Sequence, residues 1–440
     1  MDIGARELAY KLLKSADDEK TYSNIAIDSA LKKNNLSDAD KGLFTAIVMG
    51  VTERRITLDH VIDRLAADPR KIDVYTRALL RMGVYQMMFL DKIPEYAAIN
   101  ETVELAPRRS RGFVNAILRS LQRTKHAGEV EGLFPSLRDD ALSYLSVKHS
   151  FPRELCGRFA EIYGAERAER IFEILNRPPR LTLRINTLKI GRDKYAELLD
   201  ARGIAYELSA RLENAILLDG VSFSELPGFD EGYFFVQDEA SQACVAALGA
   251  RAGDRVIDCC SCPGSKSFGA AIDMKNAGEV YSFDLHKSKL SLIEKGAVRL
   301  GIDIINVGER DARQPDERLL NSADRVLCDV PCSGLGVMAK KPEIRYKNLS
   351  DFARLPEIQY DILESSARYV KAGGVLVYST CTVLPEENAN NVKKFLGEHP
   401  EFEPVDFLFG EKKSRGGMMS FAPDEDGTDG FFIAKMIRRA

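Results

Sequence analysis

The chain has 440 residues, of which 45 % are hydrophobic and 29 % charged, with a formal net charge of −4. At roughly 100–200 residues per domain this length implies two to three domains, and the composition is that of a soluble globular protein. No apolar run approaches the roughly 20 residues that span a bilayer. Met1-Asp2-Ile3-Gly4 lacks a basic stretch followed by an apolar core, so no secretory leader is expected and the protein is placed in the cytoplasm. The charge argues against indiscriminate polyanion binding but leaves room for a local basic face.

In chain order, the first segment, 1–127, reads as all helix. Ala5, Leu8, Ala9, Leu12 and Leu13 recur at helical spacing, as do Phe44, Ile47, Val48 and Val51. Further helical stretches fall near 58–65, 74–90, 97–105 and 113–122, punctuated by Pro69, Pro94 and Pro107. Residues 128–140 read as a linker. The segment 141–235 reads as a small α/β unit, with helices near 152–163, 166–176 and 192–202 and an alternating strand at 181–186.

From 236 to 440 strands alternate with helices. Strands are predicted at 254–260, 279–285, 303–308, 324–330, 374–380 and 430–437, with helices at 287–300 and 350–370. That alternation predicts an open, doubly wound sheet whose ligands sit beyond the carboxyl ends of its strands.

The eight cysteines are Cys156, Cys244, Cys259, Cys260, Cys262, Cys328, Cys332 and Cys381. No metal site is expected from these cysteines. Thiols stay reduced in the cytosol, and most of these read as small core residues. Basic groups at Arg108-Arg109-Ser110-Arg111, Lys340-Lys341 with Arg345, and Lys412-Lys413 with Arg415 are each a candidate nucleic-acid contact or a plain solvated surface.

Three strand ends together suggest a nucleoside-bearing cofactor. The first carries Asp258-Cys259-Cys260-Ser261-Cys262-Pro263-Gly264-Ser265-Lys266, a small-residue turn that opens a helix and lets backbone approach a ligand. Taken alone it is equally a tight packing turn. The second ends at Asp284, where an acidic group would hold a ribose diol about 20 residues on. The third leads to Asp311, placed for an adenine edge. A single Asp after a strand is usually a helix cap, so these residues carry weight only as a set.

The fourth strand runs into Asp329-Val330-Pro331-Cys332-Ser333-Gly334 and the fifth into Thr380-Cys381-Thr382. Neighbouring strand ends would bring Cys332 and Cys381 to one rim beside Asp329. A buried core cysteine is the plain reading of either one; two thiols at successive strand ends make a reactive pair the stronger one. The chemistry alone allows either sulfur to be a nucleophile.

Residues 236–440 resemble the S-adenosylmethionine-dependent RNA cytosine-C5 methyltransferases. The motifs are 258–266, Asp329–Gly334 and 380–382, with Lys341-Pro-Glu-Ile-Arg-Tyr346, Pro385-Glu-Glu-Asn388 and Asp429–Lys435 beside them. Residues 1–127 are similar to the NusB-type RNA-binding helical domain, and Leu181–Thr187 to the strand of an RNA-recognition-like unit. The pairing is that of bacterial Sun/Fmu-type enzymes acting on a small-subunit ribosomal RNA cytosine.

The resemblance implies a fold of three parts: an all-α NusB-like domain, a small α/β RNA-recognition-like unit and a Rossmann-like methyltransferase domain. It implies methylation of C5 of a cytosine in 16S rRNA, of the position-967 type, through a covalent adduct of Cys381 with C6. It assigns Cys332 to release of the adduct and Asp329 to the base. S-adenosylmethionine would be held by Cys260, Ser261, Cys262, Pro263, Gly264, Ser265, Lys266, Asp284, Asp311 and Asp329. The expected partner is 16S rRNA before or during small-subunit assembly, met by a monomer with no membrane and no metal.

Ser265 stands where the family has glycine and Cys262 where it has alanine. If that glycine needs a positive φ, Ser265 is strained. Two other readings remain: a DNA cytosine-C5 methyltransferase with Cys332 as nucleophile, and a non-catalytic RNA-binding or ribosome-assembly factor.

Overall fold

The computed structural model describes residues 3–15, 24–221 and 223–440. Met1 and Asp2, part of the N-terminal reading above, lie outside them. The chain divides into two compact units, 1–176 with 340–349, and 177–339 with 350–440.

The first unit is helical: α1 (Ala5–Ser15), α2 (Asn24–Lys33), α3 (Asp38–Glu53), α4 (Arg55–Leu65), α5 (Val74–Phe89), α6 (Glu95–Leu105), α7 (Arg111–His126), α8 (Ala141–His149), α9 (Arg153–Tyr163) and α10 (Ala165–Leu175). The apolar spacing that predicts α1 and α3 also builds the core shared by the helices up to α7, where Ala9, Phe44, Ile47, Val48, Leu58, Leu79 and Leu118 are buried; α2 and α8 lie where the spacing singles out no helix. Start signals are used as expected: Ser37 accepts from the Asp40 N–H ahead of α3, and Asp73 accepts from the N–H groups of Tyr75 and Thr76 ahead of α5. The stretch read as a linker is partly built in. It carries a 3-10 turn at Val130–Leu133, and Leu133 and Phe134 pack on this core.

The segment 340–349 belongs to this helical unit although the residues on either side of it do not. Arg345 is fully buried. Its Nη1 donates to Glu53 O at 3.1 Å and Asn176 Oδ1 at 2.9 Å, and its guanidinium lies 4.1 Å from the centre of the Phe151 ring. The sequence reading of Arg345 as a surface contact is therefore corrected: an aromatic ring, one backbone carbonyl and one side-chain amide oxygen have taken the guanidinium out of solvent.

The second unit holds two sheets. The smaller orders its strands β2-β3-β1-β4 and is antiparallel in every pairing, from β1 (Leu181–Ile185), β2 (Glu207–Leu208), β3 (Ala215–Leu218) and β4 (Phe234–Val236), with α11 (Arg192–Asp200) after β1. Arg184 of β1 is buried and donates through Nη2 to Asp273 Oδ1 at 2.7 Å and Gly269 O at 3.2 Å.

The larger sheet follows α12 (Glu239–Leu248). It comprises β5 (Arg255–Asp258), α13 (Ser265–Asp273), β6 (Glu279–Asp284), α14 (Lys287–Leu300), β7 (Ile305–Glu309), β8 (Ala323–Asp329), α15 (Leu355–Ala367), β9 (Val370–Thr380), α16 (Ala389–Glu398), β10 (Phe402–Pro404), β11 (Leu408–Phe409), β12 (Lys412–Lys413), β13 (Met418–Phe421) and β14 (Phe431–Arg438), with β11 and β12 forming a separate ribbon. The strand order is β10-β14-β9-β8-β5-β6-β7, with β13 paired to β14. Strands β9, β8, β5, β6 and β7 are mutually parallel, and β14 runs antiparallel to β9.

The chain winds outward from β5 through β6 to β7, then returns to place β8 and β9 on the other side. The reversal falls between β5 and β8, the position where open α/β sheets form their ligand crevice. One face of the sheet buries Val256, Val280, Leu327 and Val377 against α12, α13 and α14, and the other buries Ile257, Val326, Leu376 and Tyr378 against α15 and α16. Near-continuous apolar strands are what burial on both faces requires.

Candidate active site

The switch point lies between the carboxyl ends of β5 and β8, with that of β9 beside them. Register pairs Asp258 with Leu327 and Asp329 with Ser379, so the residues after each strand emerge side by side. After β5 comes the small-residue turn. Ser261 donates to Phe283 O through both its N–H, at 2.8 Å, and its Oγ, at 2.9 Å. The Cys262 N–H donates to Asp284 Oδ2 at 3.2 Å, which ties the turn to the acidic end of β6. The other Asp284 oxygen accepts from the His286 N–H at 3.0 Å.

The Cys262–Pro263 peptide is cis, and the positive φ of the turn, 110°, belongs to Gly264. A Cβ there would sit 2.5 Å from the Phe268 ring, so Gly264 is required on both counts. Ser265 is the first helical residue of α13 and is not among the positive-φ residues. The strain that its replacement of glycine could have carried is absent, because the left-handed position is one residue earlier.

Lys266, on the first turn of α13, points back across the switch point. Its Nζ lies 2.6 Å from Asp329 Oδ2, with side-chain exposures of 11 % and 26 %. Burial works against the ammonium charge, but the Asp329 carboxylate outweighs it and the Lys266 pKa is raised. The other Asp329 oxygen accepts from Ser379 Oγ at 2.6 Å. Both oxygens are thus oriented, one by a cation and one by a hydroxyl.

Beneath them, buried Asp258 accepts from Ser267 Oγ at 2.6 Å, and Ser267 Oγ accepts from Ser282 Oγ at 2.7 Å. Burial pushes the Asp258 carboxyl up to about 7.

The two thiols meet as the strand order requires. Cys332 Sγ is 3.1 Å from Cys381 Sγ. Cys332 is held well above its ordinary pKa, first by its hydrogen bond with Cys381 and then by burial and by the charges of Cys381 and Glu387. Of the other cysteines, Cys156, Cys244, Cys259 and Cys328 are buried core residues, as the sequence reading expects.

The Cys332 loop is held to the Cys381 loop by backbone. The Gly336 N–H donates to Cys381 O at 3.0 Å, and Gly336 O accepts from the Gly430 N–H at 2.9 Å. A Cβ on Gly336 would fall 1.8 Å from Gly430 O, so no larger residue fits there.

Sequence reasoning left several residues of this cluster without a role. Ser379, Thr382, Gln359, Glu387 and Asn388 join the cysteine loops to each other. The only sequence signal for Glu387 and Asn388 was their place in Pro385–Asn388, one turn beyond Cys381. The Asp311 carboxylate pairs with its near neighbour Arg313 at 2.6 Å, which lowers its pKa. Lys412 is likewise corrected as a free basic contact, since it pairs with Asp426 at 2.7 Å. Arg108, Arg109, Lys341 and Lys413 are exposed.

An open α/β sheet with a ligand crevice at its switch point, joined to a small antiparallel sheet and preceded in the chain by a helical bundle, defines a multidomain protein with a Rossmann-like methyltransferase domain. Family comparison agrees segment by segment. Residues 245–437 match the 16S rRNA methyltransferase RsmB/F model, 4–123 the NusB family and 151–222 the ferredoxin-like domain of RsmF/B-like methyltransferases.

The chain is 40 % identical over 448 aligned residues to the probable ribosomal RNA small subunit methyltransferase B of Bacillus subtilis strain 168, covering 99 % of this chain and 98 % of that one. It is 32 % identical over 414 to the ribosomal RNA small subunit methyltransferase B of Serratia proteamaculans strain 568, covering 92 % of each. Among solved structures, PH0851 superposes with a TM-score of 0.80 at 28 % identity over 99 % of both chains. A methyltransferase homologue from Pyrococcus horikoshii superposes with a TM-score of 0.60 at 27 % identity, over 68 % of this chain and 99 % of that one. The chain belongs to the RsmB/F family of 16S rRNA methyltransferases.

Proposed function

We propose that this protein transfers a methyl group from S-adenosylmethionine to C5 of a cytosine in 16S rRNA, at the position-967-type site, through a covalent bond between Cys381 and C6. The observation that carries the reading is the 3.1 Å approach of Cys332 and Cys381 beside an Asp329 whose two oxygens are already oriented. We take the functional segments to be 1–127, 141–235 and 236–440, the first two binding RNA around the target and the last doing the chemistry. The substrate is 16S rRNA before or during small-subunit assembly, met by a monomer in the cytoplasm.

The donor set suits the cofactor. The bond from the Cys262 N–H to Asp284 sets a half-buried carboxylate beside the small-residue turn, where a ribose diol needs an acceptor. Cys260 to Lys266, Asp284, Asp311 and Asp329 would hold it. S-adenosylmethionine supplies a methyl group on a sulfonium, electrophilic but out of reach of the weakly nucleophilic C5 of an intact cytosine.

Cys381 removes that obstacle. Its thiolate adds to C6, the pair of the C5–C6 double bond moves towards C4, and N3 takes up a proton from solvent, the Asp329 carboxylate accepting from the N3–H and the exocyclic amine and so favouring the protonated ring. C5, now enamine-like, takes the methyl as the sulfonium bond breaks. A base then removes the C5 proton, the double bond re-forms and Cys381 leaves as a thiolate. The raised pKa of Cys332 keeps it a thiol, so its S–H can donate to the departing sulfur of Cys381. Lys266 holds the Asp329 charge in place throughout, and the base must leave its stack to enter.

The test is bisulfite sequencing of 16S rRNA from cells with and without the gene. One cytosine that is protected in cells with the gene and converted in cells without it supports the proposal. Unchanged protection at every cytosine overturns it.

A further inference from the structure

Glu387 is a carboxylate that the chemistry above does not use, yet it is 1 % exposed. A buried carboxylate is expensive unless donors surround it, and here the donors come from the two reactive loops. Its Oε2 accepts from the Ser333 N–H at 2.9 Å, the amide next to Cys332. Its Oε1 lies 3.4 Å from Thr382 Oγ1, next to Cys381. The two loops also bond directly, Ser333 Oγ to Thr382 Oγ1 at 2.6 Å.

The support around it points the same way. Gln359 Nε2 donates to Glu387 Oε2 at 2.7 Å and to Pro331 O at 2.9 Å, so α15 holds both the carboxylate and the residue before Cys332. Asn388 accepts from Thr380 Oγ1 at 2.5 Å and donates to Thr382 O at 3.0 Å, gripping the chain on either side of Cys381. The buried Tyr378 hydroxyl donates to Glu387 O at 2.6 Å.

We infer that Glu387 is a positioning residue for the thiol pair: one carboxylate bridges the loop of Cys332 to the loop of Cys381 and sets how the two sulfurs face each other. Its negative charge also contributes to keeping Cys332 protonated. The inference rests on the two-thiol chemistry proposed above and adds to it the group that holds the pair in register.

The experiment uses the full-length enzyme and an in vitro transcript of 16S rRNA. Glu387→Gln keeps the shape but removes the charge; with its oxygen kept by the Ser333 N–H and Gln359, its NH2 faces Thr382 Oγ1, which donates there in the wild type. Single-turnover methylation should fall about 100-fold, the scale of a misplaced reacting group, with unchanged KM for the transcript and unchanged cofactor affinity. The alkylation of Cys332 by iodoacetamide should also move to lower pH, which a merely loosened loop would not produce.

Thr382→Ser keeps the bridging hydroxyl and should stay near wild type, whereas Thr382→Val should resemble Glu387→Gln. That pair decides the matter if Glu387→Gln fails to fold. Wild-type turnover and thiol titration in Glu387→Gln, or equal activity of the two Thr382 variants, would overturn the inference. A wild-type enzyme that traps no adduct on a 5-fluorocytidine transcript would instead overturn the covalent reading beneath it.

Discussion

Lys266 and Asp329 face each other across the switch point of the sheet, Nζ to Oδ2 at 2.6 Å. One stands at the start of α13 and the other at the end of β8, so the pair joins the small-residue turn after β5 to the loop of Cys332. Removing one partner of a buried pair leaves the other charge uncompensated. Lys266→Met is expected to lower unfolding free energy by about 3 kcal/mol, read by urea denaturation at pH 7. The folded-state pKa of Lys266 is raised, so the pair's contribution is full below the unfolded lysine value of about 10.4 and is lost only as pH rises through the folded one. Wild-type and mutant curves should therefore stay parallel from pH 6 to about pH 10.

The thiols should separate by mutation. Cys381→Ala is expected to abolish turnover and to form no adduct with a 5-fluorocytidine transcript. Cys332→Ala should still attack and should accumulate adduct, seen as a band of retarded mobility in a denaturing gel. The opposite pattern would move the nucleophile to Cys332, the arrangement expected of a DNA cytosine-C5 enzyme.

Asp258 sets a pH dependence of stability. Its folded pKa is raised to about 7, against about 3.9 in an unfolded chain. For a raised carboxyl, stability is fully present below the unfolded value and is lost as pH rises through the folded one. The loss thus builds from about pH 4 and is complete somewhat above pH 7, at about 4 kcal/mol as an upper figure. Asp258→Asn removes the ionisation while keeping an acceptor for Ser267. The variant is expected to match wild type near pH 4 and to be the more stable of the two at pH 8, in urea titrations at each pH. Equal pH slopes would show that Asp258 keeps an ordinary pKa.

Arg345 and its lysine neighbours should behave as different kinds of residue. Arg345 is buried against Phe151 and bonded to Glu53 O and Asn176 Oδ1, so Arg345→Ala should destabilise the helical unit by about 3 kcal/mol, through the cavity it leaves and the two acceptors it strips of their donor. Arg345→Lys should not restore it, because an ammonium lacks the planar stack and fork. Exposed Lys341 should affect only RNA. Lys341→Ala should leave the melting temperature unchanged and, if Lys341 meets a phosphate, reduce the salt slope of transcript binding by about 1.

Local pattern was enough for much of this molecule. Helices α3 to α7 and α9 to α11, and strands β1 and β5 to β9, lie within a few residues of where spacing and punctuation place them. A buried face imposes a period of 3.6 or 2 on the residues that form it, and that period is visible without the partner. Family motifs marked the turn after β5 and the two cysteines for the same reason, since each is contiguous in the chain.

Beyond the thiol pair expected at neighbouring strand ends, the sequence could not decide which distant groups meet. Arg345 looked exposed because a charge in a Lys-rich stretch usually is; only packing shows the Phe151 face and the Glu53 and Asn176 acceptors that bury it. Ser265 looked strained until the backbone put the positive φ on Gly264.

By itself, then, the sequence determined the kinds of element and the three-part organisation suggested by its motifs, and it singled out the candidate reactive groups. Tertiary structure alone decided that Lys266 reaches Asp329, that Cys332 stands 3.1 Å from Cys381, and that Glu387 spans the two loops. Strand order is the physical reason. Residues 49 positions apart in the chain become neighbours only once β8 and β9 pair in parallel, and that pairing is a property of the whole sheet rather than of any segment in it.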